Sequence, residues 1–255
     1  MPSSRKLSGE HDLLRMARLP QLIIFSGAGL SAESGLPTFR GASGLWEGVP
    51  IRTVCNIETW EDNFEAVHDF YDARRQACAE AEPNPAHRII ADWQKVWPGR
   101  THVLTQNIDR LLERAGCTDV VHLHGDVRLL WCVDCGHEWE IEAERYDRRG
   151  CPSCASARGV KPGVVFFGEN APRYNDLYEI VAGLRAADTV IVIGTSGAVL
   201  PADRLFAHSP AYSILVNLEP GAQMNEKAFS ERRYGPATQH LPGLWDTLSK
   251  RMDSL

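Results

Sequence analysis

The strongest constraint on the fold is the apolar run Leu22-Ile23-Ile24-Phe25, which stops abruptly at Gly27-Ala28-Gly29. A short β-rich run ending on a glycine pair reads as a buried strand feeding a tight turn. The pattern recurs at Val103-Leu104-Thr105, Val120 to Leu123, Val164 to Phe167, Thr189 to Ile193 and Ile214 to Val216. Each run ends where polar residues or glycine begin. Helical periodicity fills the gaps. Trp60, Phe64, Val67, Tyr71 and Cys78 fall at three- and four-residue steps and predict a helix over 58–81; others are expected at 86–96, 109–115, 175–187 and 245–252. Strands alternating with helices predict an α/β protein built on a parallel sheet, with ligands bound beyond the carboxyl ends of its strands.

Composition narrows the class. With 255 residues, 44% hydrophobic and 24% charged, the chain has enough apolar material for a large core and none of the bias of disordered or fibrous sequences. No apolar run approaches the roughly 18–20 residues of a membrane span. The opening MPSSRKLSGEHDLLRMARLP has charges throughout instead of a signal-like apolar stretch, so a cytoplasmic protein is expected. A net charge of −6 argues against nucleic-acid binding as the main task.

Between Gly125 and Gly159 the apolar periodicity fades, and this stretch reads as an inserted module too small for a core of its own. Its staple is visible. Cys132-x2-Cys135 and Cys151-x2-Cys154, separated by 15 residues, have the spacing of a zinc ribbon. Four thiolates close a tetrahedral shell, so the zinc is expected to be structural. Cys55, Cys78 and Cys117 are left without a role.

Gly27-Ala28-Gly29-Leu30-Ser31-Ala32 fits G-x-G-x-x-[G/A] after a strand and before a helix, where glycines let a pyrophosphate approach the backbone. An ordinary Rossmann unit would continue to a second strand with an acidic residue about 20 positions on. Here the chain enters a Gly- and Pro-rich loop over 35–44, which composition alone reads equally well as a surface connection.

GAGLSAESGLPTFRG (27–41), TQNIDRL (105–111), HLHGD (122–126), the four cysteines, KPGVVFFGE (161–169), GTSGAVLPA (194–202), VNLEP (216–220) and YGPA (234–237) together resemble the sirtuin family of NAD-dependent protein deacylases, in family order over about 27–237. The resemblance implies a Rossmann-like parallel-sheet domain (1–45, 86–124 and 160–255) and a smaller zinc-ribbon and helical domain (46–85 and 125–159), with NAD and an acyl-lysine peptide meeting between them. It implies that NAD is consumed: the acyl oxygen of the modified lysine attacks the nicotinamide ribose, nicotinamide leaves, and lysine and O-acyl-ADP-ribose result. His124 would be the base that activates a ribose hydroxyl, a task that suits imidazole.

By the same resemblance Asn107 and Asp109 contact the ribose and carboxamide, Ile108 lines that pocket, and Gln106 precedes them. Position alone leaves Asp109 open as a helix N-cap. Gly27, Ala28, Gly29, Ser31 and Glu33 belong to the first turn, and Thr38, Phe39 and Arg40 to the loop covering the nicotinamide ribose. Gly194, Thr195 and Ser196 match a phosphate-binding turn; Asn217, Leu218 and Glu219 the adenosine end; Ala237 a contact to adenine. Val164, Val165, Phe166 and Phe167 on one side, with Gly197 and Val199 on the other, match the segments between which peptide is added as a strand.

Phe70-Tyr71-Asp72-Ala73-Arg74-Arg75 resembles the branch that removes acidic acyl groups, whose Tyr-x-x-Arg pair reads a carboxylate. Helical spacing does not choose between Arg74 and Arg75; the family motif selects Arg74. Thr38, where many sirtuins carry Asp, follows this branch, whereas Gly163 departs from a position often occupied by His or Asp. The expected activity is removal of succinyl, malonyl and acetyl groups by a monomer with no membrane or nucleic-acid partner. The alternatives are deacetylation alone and protein ADP-ribosylation.

Overall fold

The structure is a computed structural model that describes residues 19–38, 45–46 and 48–253. Phe39 and Arg40, expected over the nicotinamide ribose, lie outside the described residues.

In chain order the strands are β1 (Leu22–Ser26), β2 (Leu45–Trp46), β3 (Val49–Pro50), β4 (Thr101–Thr105), β5 (Val121–His122), β6 (Gly125–Cys132), β7 (Glu138–Glu140), β8 (Val160–Val164), β9 (Thr189–Ile193), β10 (Tyr212–Asn217) and β11 (Glu231–Tyr234). The α-helices are α1 (Gly29–Ala32), α2 (Ile51–Val54), α3 (Phe64–Glu80), α4 (Pro85–Val96), α5 (Leu111–Arg114), α6 (Tyr174–Ala182), α7 (Ala202–Phe206), α8 (Ala237–His240) and α9 (Trp245–Met252).

Six strands form one parallel sheet in the order β11-β10-β9-β1-β4-β5. The chain builds outward from β1 through β4 to β5, then returns to β9 on the other side of β1 and builds outward again. That reversal places a topological switch point between β1 and β9, where a Rossmann-type sheet opens a crevice. The register is level there, because Ser26 pairs with both Thr105 and Ile193, and Ile193 with Val216. Gly27, Gln106, Gly194 and Asn217 therefore emerge side by side.

Both faces of the sheet are covered, which explains the unbroken apolar runs. Along β1, Leu22 and Ile24 enter one core with Ile90 and Trp93 of α4 and Leu248 of α9. Ile23 and Phe25 enter the opposite core with Leu177 of α6 and Phe206 of α7.

A third core lies apart from these. Trp60, Phe64, Val67 and Tyr71 pack against Val127, Leu130, Val160, Val164 and Phe166, with Cys132 and Cys151 in the same cluster. The three-stranded antiparallel sheet β7-β6-β8 and helix α3 thus share apolar material that neither could bury alone. Charge fastens them further: Asp72 on α3 takes Arg75 at 2.6 Å, Arg148 at 2.6 Å and the backbone N–H of Tyr146 at 3.0 Å.

The run Val164 to Phe167 is not a parallel-sheet strand as its apolar character suggests, because β8 ends at Val164 and pairs with β6 in the small sheet. Three helices, among them α5 at Leu111–Arg114, are also shorter than their periodicity predicts. α3 starts at Phe64 and not at 58, because Asn56 and Asn63 bond nearby backbone and hold 56–63 in turns while Trp60 still reaches the core. α6 ends at Ala182, its last carbonyls taken by the Gly183 N–H.

Candidate functional site

Two glycine turns make the floor of the crevice. Gly29 donates to the Gly194 carbonyl at 2.8 Å, and Gly27 donates to Ile193 O at 2.9 Å. A Cβ on Gly29 would sit 2.6 Å from Gly194 Cα, so the two backbones touch only because neither residue has a side chain. Gly194 is also left-handed, at φ +62°. Beside it, Thr195 and Asn217 exchange two hydrogen bonds, Thr195 N to Asn217 Oδ1 at 3.1 Å and Asn217 Nδ2 to Thr195 O at 2.9 Å. Gln106 Nε2 reaches Thr195 Oγ1 at 3.2 Å, so the ends of β4, β9 and β10 form one bonded rim.

Ser31 is the hub of the inner wall. Its hydroxyl donates to Asp109 Oδ2 at 2.9 Å and accepts from Asn107 Nδ2 at 3.1 Å. His87 Nε2 lies 3.4 Å from the same oxygen. The tautomer of His87 follows from its other nitrogen: Nδ1 accepts the Asn84 backbone N–H at 3.2 Å, so Nε2 carries the proton and donates to Ser31. Burial, with Arg88 adding to it, pushes the His87 imidazole down to about 4, so it stays neutral. Asp109 is held up by burial against the opposing bonds from Leu111 N–H and Ser31. Its second oxygen accepts Leu111 N–H at 3.1 Å, so Asp109 faces both Ser31 and the start of α5, although the N-cap position itself falls on Arg110.

Asn84 and His87 carry no sequence expectation, although their signal is legible afterwards. They form a capping box around Pro85, in which the Asn84 side chain accepts from Ala86 N–H and His87 N–H while His87 bonds back to Asn84.

The two histidines of HLHGD differ in state. His122 Nδ1 faces the Asn107 carbonyl at 2.9 Å and its Nε2 faces Glu113 Oε1 at 2.7 Å. Both neighbours only accept, so both ring nitrogens donate. Burial alone would lower His122, but the Glu113 carboxylate and the Asn107 carbonyl outweigh it and hold the imidazolium. His124 is the reverse. Nδ1 lies 3.0 Å from the Gln106 carbonyl and must donate to it, leaving Nε2 as the acceptor of the ring, where the Tyr174 phenol meets it at 2.9 Å. Burial lowers His124 below the ordinary histidine value, opposed only by the Gln106 carbonyl. A neutral imidazole with one oriented lone pair is what a general base requires.

The outer residues are spread more widely. Ile108 leaves the sheet rim and packs against the third core. Glu33 bonds the Thr238 backbone N–H at 3.2 Å and its hydroxyl, next to buried Ala237. Ala28 and Thr38 are half-buried, whereas Ser196, Leu218 and Glu219 are exposed on the rim. Val165 N donates to His124 O at 2.9 Å, and Phe167 exchanges bonds with Cys55 and Ile57. Gly197 and Val199 lie in the turn after β9, with Gly197 against Met224.

Tyr71 is fully buried, stacked on Phe166 at 5.7 Å and edge-on to Trp46 at 5.9 Å. Its hydroxyl makes no hydrogen bond that meets normal geometry among the described residues and lies beside the Cys55 thiol. Arg75 is fully buried and committed to Asp72, Val127 O and Glu144 O. Arg74 is half-buried with its guanidinium over the Phe70 ring at 5.4 Å.

Cys132, Cys135, Cys151 and Cys154 converge with all sulfurs within 4.8 Å, and the Cys132–Cys154 and Cys135–Cys151 pairs are each 3.6 Å apart. That spacing is too long for disulfides and fits a tetrahedral zinc shell, which sets sulfurs about 3.8 Å apart.

The sheet order, the glycine floor at the switch point and an oriented imidazole beyond β5 define a Rossmann-type α/β protein carrying a four-cysteine module with metal-site geometry. The profile of the Sir2 family matches residues 27–201. A protein named NAD-dependent protein deacylase from Helicobacter hepaticus is 40% identical over 243 residues, 88% of this chain and 95% of that protein. One of the same name from Escherichia coli K12 is 39% identical over 239 residues, covering 91% and 83%. Among solved structures, a Sir2 homolog–NAD complex superposes with a TM-score of 0.78 at 31% identity over 95% of each chain. Sir2Tm bound to a propionylated peptide gives 0.72 at 27% identity, covering 93% and 97%. The chain belongs to the Sir2 family.

Proposed function

We propose that this protein removes acyl groups from lysine side chains of proteins at the expense of NAD, releasing nicotinamide and O-acyl-ADP-ribose, and that it accepts succinyl and malonyl as well as acetyl groups. The observation that carries the reading is His124: an imidazole with its Nε2 left as the acceptor, fixed at Nδ1 by the carbonyl of Gln106, the residue whose side chain reaches Thr195 beside the Gly29–Gly194 contact. The deacylase names of the relatives support the same activity.

NAD, when bound, supplies a glycosidic carbon that the acyl oxygen can attack and a ribose that finally carries the acyl group. The touching glycine backbones are a cradle that any Cβ would fill, which suits a pyrophosphate. Thr195, Ser196 and Asn217 would hold the phosphate and adenosine side, with Leu218, Glu219 and Ala237 beyond them. Asn107 and Asp109, locked through Ser31, would orient the nicotinamide ribose and carboxamide, and Ile108 would exclude water there. His124 takes a proton from a ribose hydroxyl at Nε2. Peptide would lie between 164–167 and 197–199, gripped through its backbone. Zinc on the four cysteines would hold the third core together, as a structural metal with no open position.

The acidic-acyl reading rests on α3. Arg75 is bonded to Asp72 and two carbonyls, Arg74 lies half-buried over Phe70, and among the described residues the buried Tyr71 hydroxyl has no oxygen or nitrogen partner. A carboxylate at the end of an acyl chain would suit a guanidinium and a phenol set three residues apart on one helix. We further propose that the protein works as a cytoplasmic monomer; no helix among the described residues is long and apolar enough to cross a membrane.

One peptide carrying acetyl-, malonyl- or succinyl-lysine, incubated with NAD and followed by mass spectrometry, tests the whole reading. His124→Tyr should abolish turnover. Arg74→Met should lower succinyl kcat/KM about 10–100-fold, the worth of a charge-assisted bond, with acetyl turnover retained. Unchanged succinyl turnover would remove the acyl assignment, and ADP-ribosylated protein in place of O-acyl-ADP-ribose would remove the deacylase reading.

A further inference from the structure

Tyr174, the first residue of α6, is placed on the reactive edge of His124 by a segment that sequence reasoning left unassigned. We propose that the Tyr174 phenol caps the Nε2 lone pair of His124 in the ligand-free enzyme and that the ribose hydroxyl of the bound dinucleotide replaces it, which makes Tyr174 a positioning residue for the base. This inference rests on His124 acting as the base of the proposed reaction.

The geometry leaves one arrangement of protons. His124 Nδ1 donates to the Gln106 carbonyl at 3.0 Å, so Nε2 is the acceptor of the ring and the phenol 2.9 Å away is the donor. The phenol keeps its proton, because burial, helped by Tyr178, pushes it up to about 12. Its ring is braced: Tyr178, one turn along α6, packs edge-on at 6.2 Å, and the Tyr174 and His124 rings lie 5.9 Å apart.

An imidazole nitrogen has a single in-plane lone pair. A substrate hydroxyl that delivers its proton to Nε2 needs that same direction, so phenol and substrate exclude one another. The exchange replaces one hydroxyl donor with another, and the base is never left as an unsatisfied buried acceptor. Around His124 the described surroundings are uncharged: the Gln106 carbonyl from the β4 rim and the Tyr174 phenol from α6. His122, two residues earlier, turns instead to Glu113 and the Asn107 carbonyl. The phenol is the side-chain group in hydrogen-bond contact with Nε2 among the described residues.

Tyr174→Phe tests this, since it keeps the ring and its packing and deletes only the hydroxyl. In the ligand-free protein, the ¹³C-labelled His124 ring, assigned by its loss in His124→Asn, should titrate about 0.5–1 unit higher, because a bond that favoured the neutral form is gone. The acid limb of kcat/KM, which reports free enzyme, should move up by the same amount, while the acid limb of kcat stays in place because the phenol is already displaced in the complex. A His124 titration that stays or falls overturns the cap, and so does an equal shift in kcat. Absence of deacylation in the wild type would be a failure of the function alone, since the ring titration still reads the cap.

Discussion

Replacing Gly194 by alanine puts a methyl group into the point where the two halves of the sheet meet. Its Cβ would lie 2.5 Å from Leu30 N, 2.6 Å from Gly29 C and 2.7 Å from Gly29 Cα, all backbone atoms that no rotamer change can move. Carbon atoms in contact sit about 3.5–4.0 Å apart, so the turns after β1 and β9 must separate by about 1 Å. Forcing packed backbone apart costs about 1–3 kcal/mol, and holding alanine in the left-handed region at φ +62° adds about 1–2 kcal/mol. The sum is about 2–5 kcal/mol, or a fall in Tm of roughly 5–20 °C for a chain of this size. Gly183→Ala is the control: φ is −84° and its Cβ would meet only Glu179 O at 3.4 Å and Ile180 O at 3.6 Å, so it should melt with the wild type. Calorimetry gives the Tm values. Titration calorimetry with NAD should show at least about a tenfold weaker Kd for Gly194→Ala, because the displaced turn is the one expected to receive the pyrophosphate. If Gly194→Ala melted within about 2 °C of Gly183→Ala and bound NAD equally well, the steric argument for the glycine floor would be wrong.

Three further outcomes follow from the same geometry. Removing zinc with a strong chelator, or substituting Cys151→Ser, should loosen the third core that contains Cys132 and Cys151, so that near-ultraviolet dichroism from Trp60 and Tyr146 collapses with one equivalent of zinc released; an unchanged spectrum after full release would assign the module no structural role. His122→Gln should destabilise the protein most between Glu113's ordinary pKa of 4.5 and His122's ordinary 6.5. Glu113 is held low, so the pair's stabilisation is lost as pH falls through its folded value; His122 is held high, so it is lost as pH rises through its own. A Tm gap that widened toward pH 9 would contradict that sign. Ser31→Ala deletes the donor to Asp109 Oδ2 and the acceptor for Asn107 Nδ2, and kcat/KM should fall about 10–100-fold; activity within twofold would show that the hub does not order the site.

Much of the site was legible because its signals are local. The apolar runs, their glycine or polar endings and the two C-x2-C pairs each occupy a few residues, and a strand that ends on Gly27-Ala28-Gly29 has few other uses. What escaped depended on partners far along the chain. His87 looks like an ordinary helical histidine until Ser31, 56 positions away, is found beside it. Tyr174 falls just ahead of the helix expected over 175–187 and shows no role until it meets His124, 50 positions away. The helix expected from 58 begins at 64 because side-chain bonds to nearby backbone compete with helix formation, which periodicity does not register.

The sequence by itself determined the α/β class, the four thiolates, the order of the motifs and the candidate base, because those follow from backbone periodicity and from residue types with few chemical uses. Tertiary structure decided what each group does electrically. Arg74 and Arg75 are equivalent as helical neighbours of Tyr71, yet Arg75 is fully buried against Asp72 whereas Arg74 lies half-buried over Phe70. His122 and His124 lie two residues apart, at and just past the end of one short strand, yet a carboxylate and a carbonyl beside the first make both its nitrogens donors, whereas a carbonyl and a phenol beside the second leave its Nε2 an acceptor. Protonation depends on what lies within a few ångströms in space, and in a parallel sheet those neighbours come from strands that are distant in sequence.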